Sequence, residues 1–279
     1  LVIGINEYAG GPLRNCVNDA TDVGAALQRL GFRALVKTNC SLDDFEAALG
    51  TFQDRLRPGT AALFFFSGHG CEHQSRNYLL PADWRSGSKD TTLQRRAISA
   101  QEVLDGMRAR GSGVNIVILD ACRSYRGVDR SMRDAPAGLV PMLPMDMRDG
   151  GTVIAYATAP GAVSWDGDGQ GGRNGMYTTH LLRHIATPGV RVVDMLDEVG
   201  FSLREAAASL HGRQEQVPWI NSTWSDRQAK NFCLAAPAAA SPTPHALPDV
   251  AAVDPATVSR LTREGAIGPL VKLLGDGAA

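Results

Sequence analysis

Two short apolar runs constrain this chain more than anything else in it. Ala61-Ala62-Leu63-Phe64-Phe65-Phe66-Ser67 leads into Gly68-His69-Gly70, and Val114-Asn115-Ile116-Val117-Ile118-Leu119 leads into Asp120-Ala121-Cys122-Arg123. Each run is rich in β-branched or aromatic residues and bounded by polar or glycine positions. That pattern predicts a strand buried on both faces, as in a parallel sheet. Open parallel sheets collect their chemistry at the carboxyl ends of the strands. His69 and Cys122 each fall just past such an end, so neighbouring strands would bring both to one rim. A thiol is strongly nucleophilic only as the thiolate, and a nearby imidazole can take its proton. A cysteine with its histidine about 50 residues upstream therefore points to nucleophilic cysteine chemistry. Gly68 and Gly70 let the backbone turn tightly and approach a substrate. The N–H groups of Gly70 and Cys122 are the candidate donors to an oxyanion. Taken singly, the cysteine reads as a core residue and the histidine as part of a turn; their pairing after matched strands carries the argument.

The surrounding pattern alternates strand and helix. Strands are expected at residues 1–5, 32–38, 61–67, 114–119 and 152–158, with a last one near 231–234. Helices are expected at 19–30, stopped by Gly31; at 41–56, with Ser41 as N-cap; and at 99–110, where Ser99 and Glu102 fit a capping box. Two more are expected near 176–185 and 192–209. This alternation implies an α/β fold, doubly wound, with a mostly parallel sheet and helices on both faces. The pattern fails over residues 125–150, rich in Arg, Asp, Pro and Met, which reads as a long surface loop of the kind that is functional or mobile. Ala235-Ala236-Pro237 opens a stretch to residue 257 with linker composition. Residues 258–279 become helical again, and Gly265-Ala266-Ile267-Gly268-Pro269-Leu270-Val271-Lys272-Leu273-Leu274 resembles the start of an armadillo repeat. One partial repeat cannot bury its own apolar face, so further repeats and a protein partner on them are expected.

Composition narrows the function. A net charge of −1 gives no bulk attraction to nucleic acid or membrane. No run of 18 apolar residues appears, so no spanning helix is expected. The five cysteines lack disulfide-framework spacing, which favours a reducing, cytoplasmic setting. Without a CxxC pair no zinc site is expected, and His180 and His184, four apart on a helix, read as surface or packing residues. Leu1 begins inside a strand and is not Met, so the chain reads as a fragment that could have lost a targeting segment.

Five blocks stand out along the chain: residues 1–8, Leu13-Arg14-Asn15-Cys16-Val17-Asn18-Asp19-Ala20, Ser67-Gly68-His69-Gly70, Leu119-Asp120-Ala121-Cys122-Arg123, and Ala155-Tyr156-Ala157-Thr158-Ala159-Pro160-Gly161. In this order they resemble the caspase-like cysteine peptidases, and within them the paracaspase and metacaspase-like branch. The resemblance covers most of residues 1–234, with a dyad-bearing part (1–124), the loop (125–150) and a smaller part (151–234). It implies a His–Cys dyad, with His69 as general base and acid and Cys122 as nucleophile. Animal caspases, which cleave after aspartate, carry Gln two residues before the cysteine and Ser-Trp-Arg after the Ala-Pro-Gly turn. This chain has Asp120 and Ser164-Trp165-Asp166 there, and Asp19 matches a pocket carboxylate of paracaspases and metacaspases. Carboxylates around one pocket attract Arg or Lys and repel Asp. The implied substrate-binding residues are thus Asp19, Asp120, Asp166 and Ser164, and the implied substrates are proteins or peptides with Arg or Lys before the scissile bond.

Each acid has a plainer alternative: Asp19 as a cap for a helix starting near Ala20, Asp120 and Asp166 as turn residues. The dyad chemistry needs no metal or organic cofactor. Asp166-Gly167-Asp168 leaves calcium activation open, but the twelve-residue loop with its terminal Glu is missing. The rival reading is a catalytically silent module beside an armadillo array. Arg126, Arg130, Arg133 and Arg148 lie in the long loop, and such loops are where nicking concentrates. Self-cleavage there is therefore expected. Mass spectrometry of the active protein should show fragments ending at one of these arginines that are missing from Cys122→Ala; two intact chains, with the active form still cleaving a test peptide, would rule it out.

Overall fold

Alternate positions of the two central runs bury opposite faces. Phe64 and Phe66 join Val117 and Leu119 in one core, while Leu63 and Phe65 join Ile116 and Ile118 in a second. A period of two with both phases apolar belongs to a strand covered on both sides. The computed structural model describes residues 1–85, 90–122, 139–142, 151–159, 172–208, 216–224 and 227–237. In chain order its elements are β1 (Val2–Gly4), α1 (Cys16–Arg29), β2 (Val36–Thr38), α2 (Leu42–Arg55), β3 (Ala61–His73), β4 (Arg76–Leu79), α3 (Asp90–Arg96), β5 (Ile98–Ser99), α4 (Ala100–Ala109), β6 (Val114–Cys122), β7 (Gly151–Tyr156), α5 (Met176–His184), α6 (Val192–Ala208), β8 (Trp219–Trp224) and α7 (Arg227–Lys230).

The sheet runs β2-β1-β3-β6-β7-β8. Its first five members are mutually parallel, and β8 closes the edge antiparallel to β7. Helices α1, α5 and α6 supply Val23, Leu27, Tyr177, Leu181, Val199 and Leu203 to the core on one face. Helices α2 and α4 supply Phe45, Phe52, Leu104 and Met107 to the other. The doubly wound α/β arrangement is thus as expected. α1 lies so close on β1 that a Cβ at Gly4 would run into the carbonyl oxygen of Cys16.

Local signals act where the sequence places them. The Ser41 hydroxyl accepts the Asp44 N–H at 3.2 Å, and Ser99 accepts that of Glu102 at 3.3 Å. Each relieves one orphan donor of a first helical turn. The Glu102 carboxylate, expected to complete a capping box, turns to Arg76 3.9 Å away. Gly31 stops α1 at φ 88°, a conformation that favours glycine. His180 and His184 both contact the Ser202 hydroxyl, at 2.9 and 3.1 Å, joining α5 to α6. Burial pushes the His180 imidazole down to about 4.

Several expectations need correction. α1 begins at Cys16 with Asn15 as N-cap, so Asp19 is inside the helix and not its cap. The strand expected at 32–38 shortens to β2. β3 continues past Ser67 to His73, because its second half finds a partner in β4, and α3 and β5 follow it. Among the described residues the last strand is β8; residues near 231–234 carry only a single bridge, Arg191 to Cys233. Trp219-Ile220 and Thr223-Trp224 are the β-branched and aromatic signal that could have marked it. The loop 125–150 is not surface throughout: Leu139 and Met142 are buried. Asn77 exchanges two hydrogen bonds with the backbone of Val140, and the Tyr156 hydroxyl accepts the Met142 N–H. The rest of that loop, the expected linker beyond Pro237 and the stretch 258–279 expected to begin an armadillo repeat lie outside the described residues. No described helix is long and apolar enough to cross a membrane.

The Phe45 ring, fully buried on α2, lies 6.5 Å from that of Phe64 and 5.9 Å from that of Phe66. Phe45→Ala should lower unfolding free energy by about 3–5 kcal/mol. Ser41→Ala, which removes only a cap, should cost about 1 kcal/mol. Urea unfolding of the two variants checks the order; a Phe45→Ala midpoint at or above that of Ser41→Ala would contradict the packing described.

Candidate active site

Strand order changes direction at β1 and β3: the chain leaves β1 for β2 on one side and returns to β3 on the other. The carboxyl ends at such a switch point form a crevice. The loop after β1 and the second half of β3 meet there. His69 lies within β3, two residues after the end predicted for that strand, and Cys122 is the last residue of β6. The parallel register pairs Ser67 with Asp120, Gly68 with Ala121 and His69 with Cys122. Neighbouring strands lie about 4.8 Å apart, so the two sequence-predicted residues are adjacent across the ladder.

The loop after β1 orients the imidazole. The Tyr8 hydroxyl accepts the His69 backbone N–H at 3.0 Å and donates to the Leu80 carbonyl at 3.1 Å. Its ring lies 4.4 Å from the His69 ring. Gly68 has no side chain because a Cβ there would stand 2.5 Å from that hydroxyl. His69 Nε2 is 2.7 Å from the Gly11 carbonyl oxygen. A carbonyl only accepts, so Nε2 carries the hydrogen, and in the neutral ring Nδ1 is the basic nitrogen. Asn6 and Asn39 fix the loop itself. The Asn39 side-chain oxygen accepts the N–H groups of Asn6 and Glu7, and Asn6 accepts that of Val17. Asn39 has φ 48°, a region Asn tolerates better than most residues.

Asp19 and Asp120 come together beside this rim. Asp19 points from the first turn of α1 into the sheet and is 1 % exposed; Asp120 is 6 % exposed. The Ser67 hydroxyl donates to Asp19 Oδ2 at 2.8 Å, and the Gly175 N–H donates to Oδ1 at 2.8 Å. The Thr178 hydroxyl donates to Asp120 Oδ2 at 2.7 Å. Burial, and next the charge of Asp120, push the Asp19 carboxyl up to about 8, against the opposing hydrogen bonds from Gly175, Ser67 and Asn174. Segment 173–175 is fastened to α1: Arg173 pairs with Asp22 at 2.9 Å and Asn18 donates to the Arg173 carbonyl.

Gly70 packs tightly beside the dyad positions. A Cβ on it would stand 3.1 Å from Leu139 and 3.2 Å from the Ala121 Cβ. Asp166 and Ser164 lie outside the described residues. Sequence reasoning missed Tyr8, Gly11, Ser67, Gly175 and Thr178. Ser67 stood in a quoted motif as a neighbour of the histidine and Tyr8 at the end of the first resembling block, neither with a role of its own; the others act through backbone groups or distant contacts.

Comparison with known proteins agrees with this geometry at the level of fold and family. Human mucosa-associated lymphoid tissue lymphoma translocation protein 1 is 23 % identical over 230 residues, 82 % of this chain and 26 % of the relative. Its mouse homologue is 24 % identical over the same shares. The chain thus spans about a quarter of the length of these relatives. Among solved structures, caspase-1 of Spodoptera frugiperda superposes with a TM-score of 0.59 at 16 % identity, covering 84 % of this chain and 88 % of that one. Protein GSU0716 of Geobacter sulfurreducens gives 0.54 at 14 %, covering 85 % and 98 %. Residues 1–228 match the caspase domain, so the chain belongs to the caspase domain family of cysteine peptidases.

Proposed function

We propose that this chain is a cysteine endopeptidase of the paracaspase and metacaspase-like branch, cutting after Arg or Lys through a dyad of His69 and Cys122. The observation that carries this reading is the pairing of His69 with Cys122 in the β3–β6 register, with His69 Nε2 held on the Gly11 carbonyl. Nδ1 then takes the thiol proton, and the thiolate attacks the substrate carbonyl carbon. The N–H groups of Gly70 and Cys122 receive the oxyanion. Collapse breaks the C–N bond, and the imidazolium returns its proton to the leaving amine. Water, deprotonated by the same imidazole, attacks the thioester; the acid departs and the thiol is restored. Asp19 and Asp120 receive the basic side chain, with Asp166 and Ser164 as further candidates.

Four outcomes test this. Cys122→Ala should abolish peptide cleavage and His69→Ala should lower it by orders of magnitude, since the two act as a unit. In a fluorogenic library, cleavage should follow Arg or Lys; preference for Asp would overturn the specificity. Asp19→Asn and Asp120→Asn should each lower kcat/KM about tenfold or more. An acid held up near 8 gains its charge as pH rises through that value. Affinity for a cation therefore grows with pH, and kcat/KM on Arg peptides should climb through about pH 8 and level off above it. Asp19→Asn should flatten that limb; an unchanged profile would remove Asp19 from the pocket.

A further inference from the structure

Gly175 is the N-cap of α5, a place where Ser, Thr, Asn or Asp is preferred because the side chain closes an orphan N–H. It supplies no such cap. Its backbone does not require glycine: φ −57° and ψ 155° are open to any residue. Space favours it. A Cβ at Gly175 would stand 3.1 Å from Asp19 Oδ2 and 3.4 Å from Asp120 Oδ2. The smallest side chain would thus crowd the Asp19 carboxylate and lie in van der Waals contact with that of Asp120. One turn further, Thr178 is fully buried and its hydroxyl holds Asp120 Oδ2 at 2.7 Å. The head of α5 therefore touches both acids, leaving one bare wall and supplying two donors, the Gly175 N–H and the Thr178 hydroxyl.

We propose that Gly175 and Thr178 are specificity-determining residues of the acidic pocket: Gly175 leaves a bare wall along which a planar guanidinium lies between Asp19 and Asp120, and Thr178 is the positioning residue that orients Asp120 to receive it. The proposal rests on the reading of this pocket as the receiver of a basic side chain. Guanidinium and ammonium need different space. The guanidinium is a flat fork that engages carboxylates by two parallel hydrogen bonds, and the ammonium is a compact point charge. A methyl group on the wall therefore obstructs Arg more than Lys.

The test is steady-state cleavage of two peptides that differ only in Arg or Lys before the scissile bond. It uses the wild type, Gly175→Ala, Thr178→Val and Thr178→Ser, with thermal unfolding followed by circular dichroism. Gly175→Ala should lower kcat/KM for the Arg peptide about tenfold, mainly through KM, as loss of a charge-assisted contact does. The Lys peptide should lose much less, so the Arg-to-Lys ratio falls. Thr178→Val should raise KM for both peptides, and Thr178→Ser, which keeps the hydroxyl, should restore it. An unchanged ratio in a folded Gly175→Ala, or equal loss on both peptides, overturns the role of Gly175. Failure of Thr178→Ser to recover what Thr178→Val loses overturns that of Thr178, and this pair decides alone if Gly175→Ala does not fold. A wild type that cleaves other peptides but neither of these two overturns the basic-side-chain reading itself, and this proposal with it.

Discussion

The pairing of β3 with β6 is the constraint on which the rest depends. It runs in register from Ala61 and Val114 to His69 and Cys122. Both strands are covered on two faces, and the two phases of each fill different cores. A slip by one residue would exchange the faces of every side chain, sending Phe64 and Phe66 into the space shaped for Leu63 and Phe65. Close packing in both cores resists that exchange. The alignment of His69 with Cys122 is therefore a by-product of hydrophobic packing several residues away. Ser67 and Asp120 are aligned by the same ladder.

The buried acids follow another logic. An isolated carboxylate removed from water is costly, and a second beside it more so. Here the cost is only partly offset by oriented neutral donors: a hydroxyl from β3, a hydroxyl from α5 and the N–H of Gly175, the N-cap of α5. The amino end of α5, where its dipole is positive, also lies beside Asp19, joined to it by the Gly175 N–H. Such donors soften the burial of Asp19 without cancelling its attraction for a cation.

Much of this was legible in the sequence because the strongest signals are local. The double-phase apolar runs, the caps at Ser41 and Ser99, and the Gly31 stop each depend on a few neighbouring residues. What escaped depends on partners far along the chain. β3 looked finished at Ser67 because Gly68 and Gly70 read as a turn, yet β4 extends it; nothing in Gly-His-Gly announces a strand. Asp19 looked like a cap because helix boundaries are the weakest part of such a reading. Tyr8 and Gly11 carried no visible role because one works through a hydroxyl reaching β3 and the other through a backbone carbonyl. The pairing of Asp19 with Asp120 was suggested by resemblance, but the part of Gly175 emerges only once α5 is seen to end against both.

The anchoring of residues 139–142 changes what a break in the surrounding stretch would mean. This short piece is gripped by Asn77 of β4 on one side and by Tyr156 of β7 and Asn221 of β8 on the other. β6 and β7 are meanwhile zipped together from Val114 and Gly151 to Leu119 and Tyr156. Scission on either flank of the anchor would leave the sheet continuous and both cores intact. The two resulting chains would stay as one particle, parted by denaturant and not by dilution. Covalent continuity across this region and physical integrity of the domain are thus separate properties, and the sheet provides the second without the first.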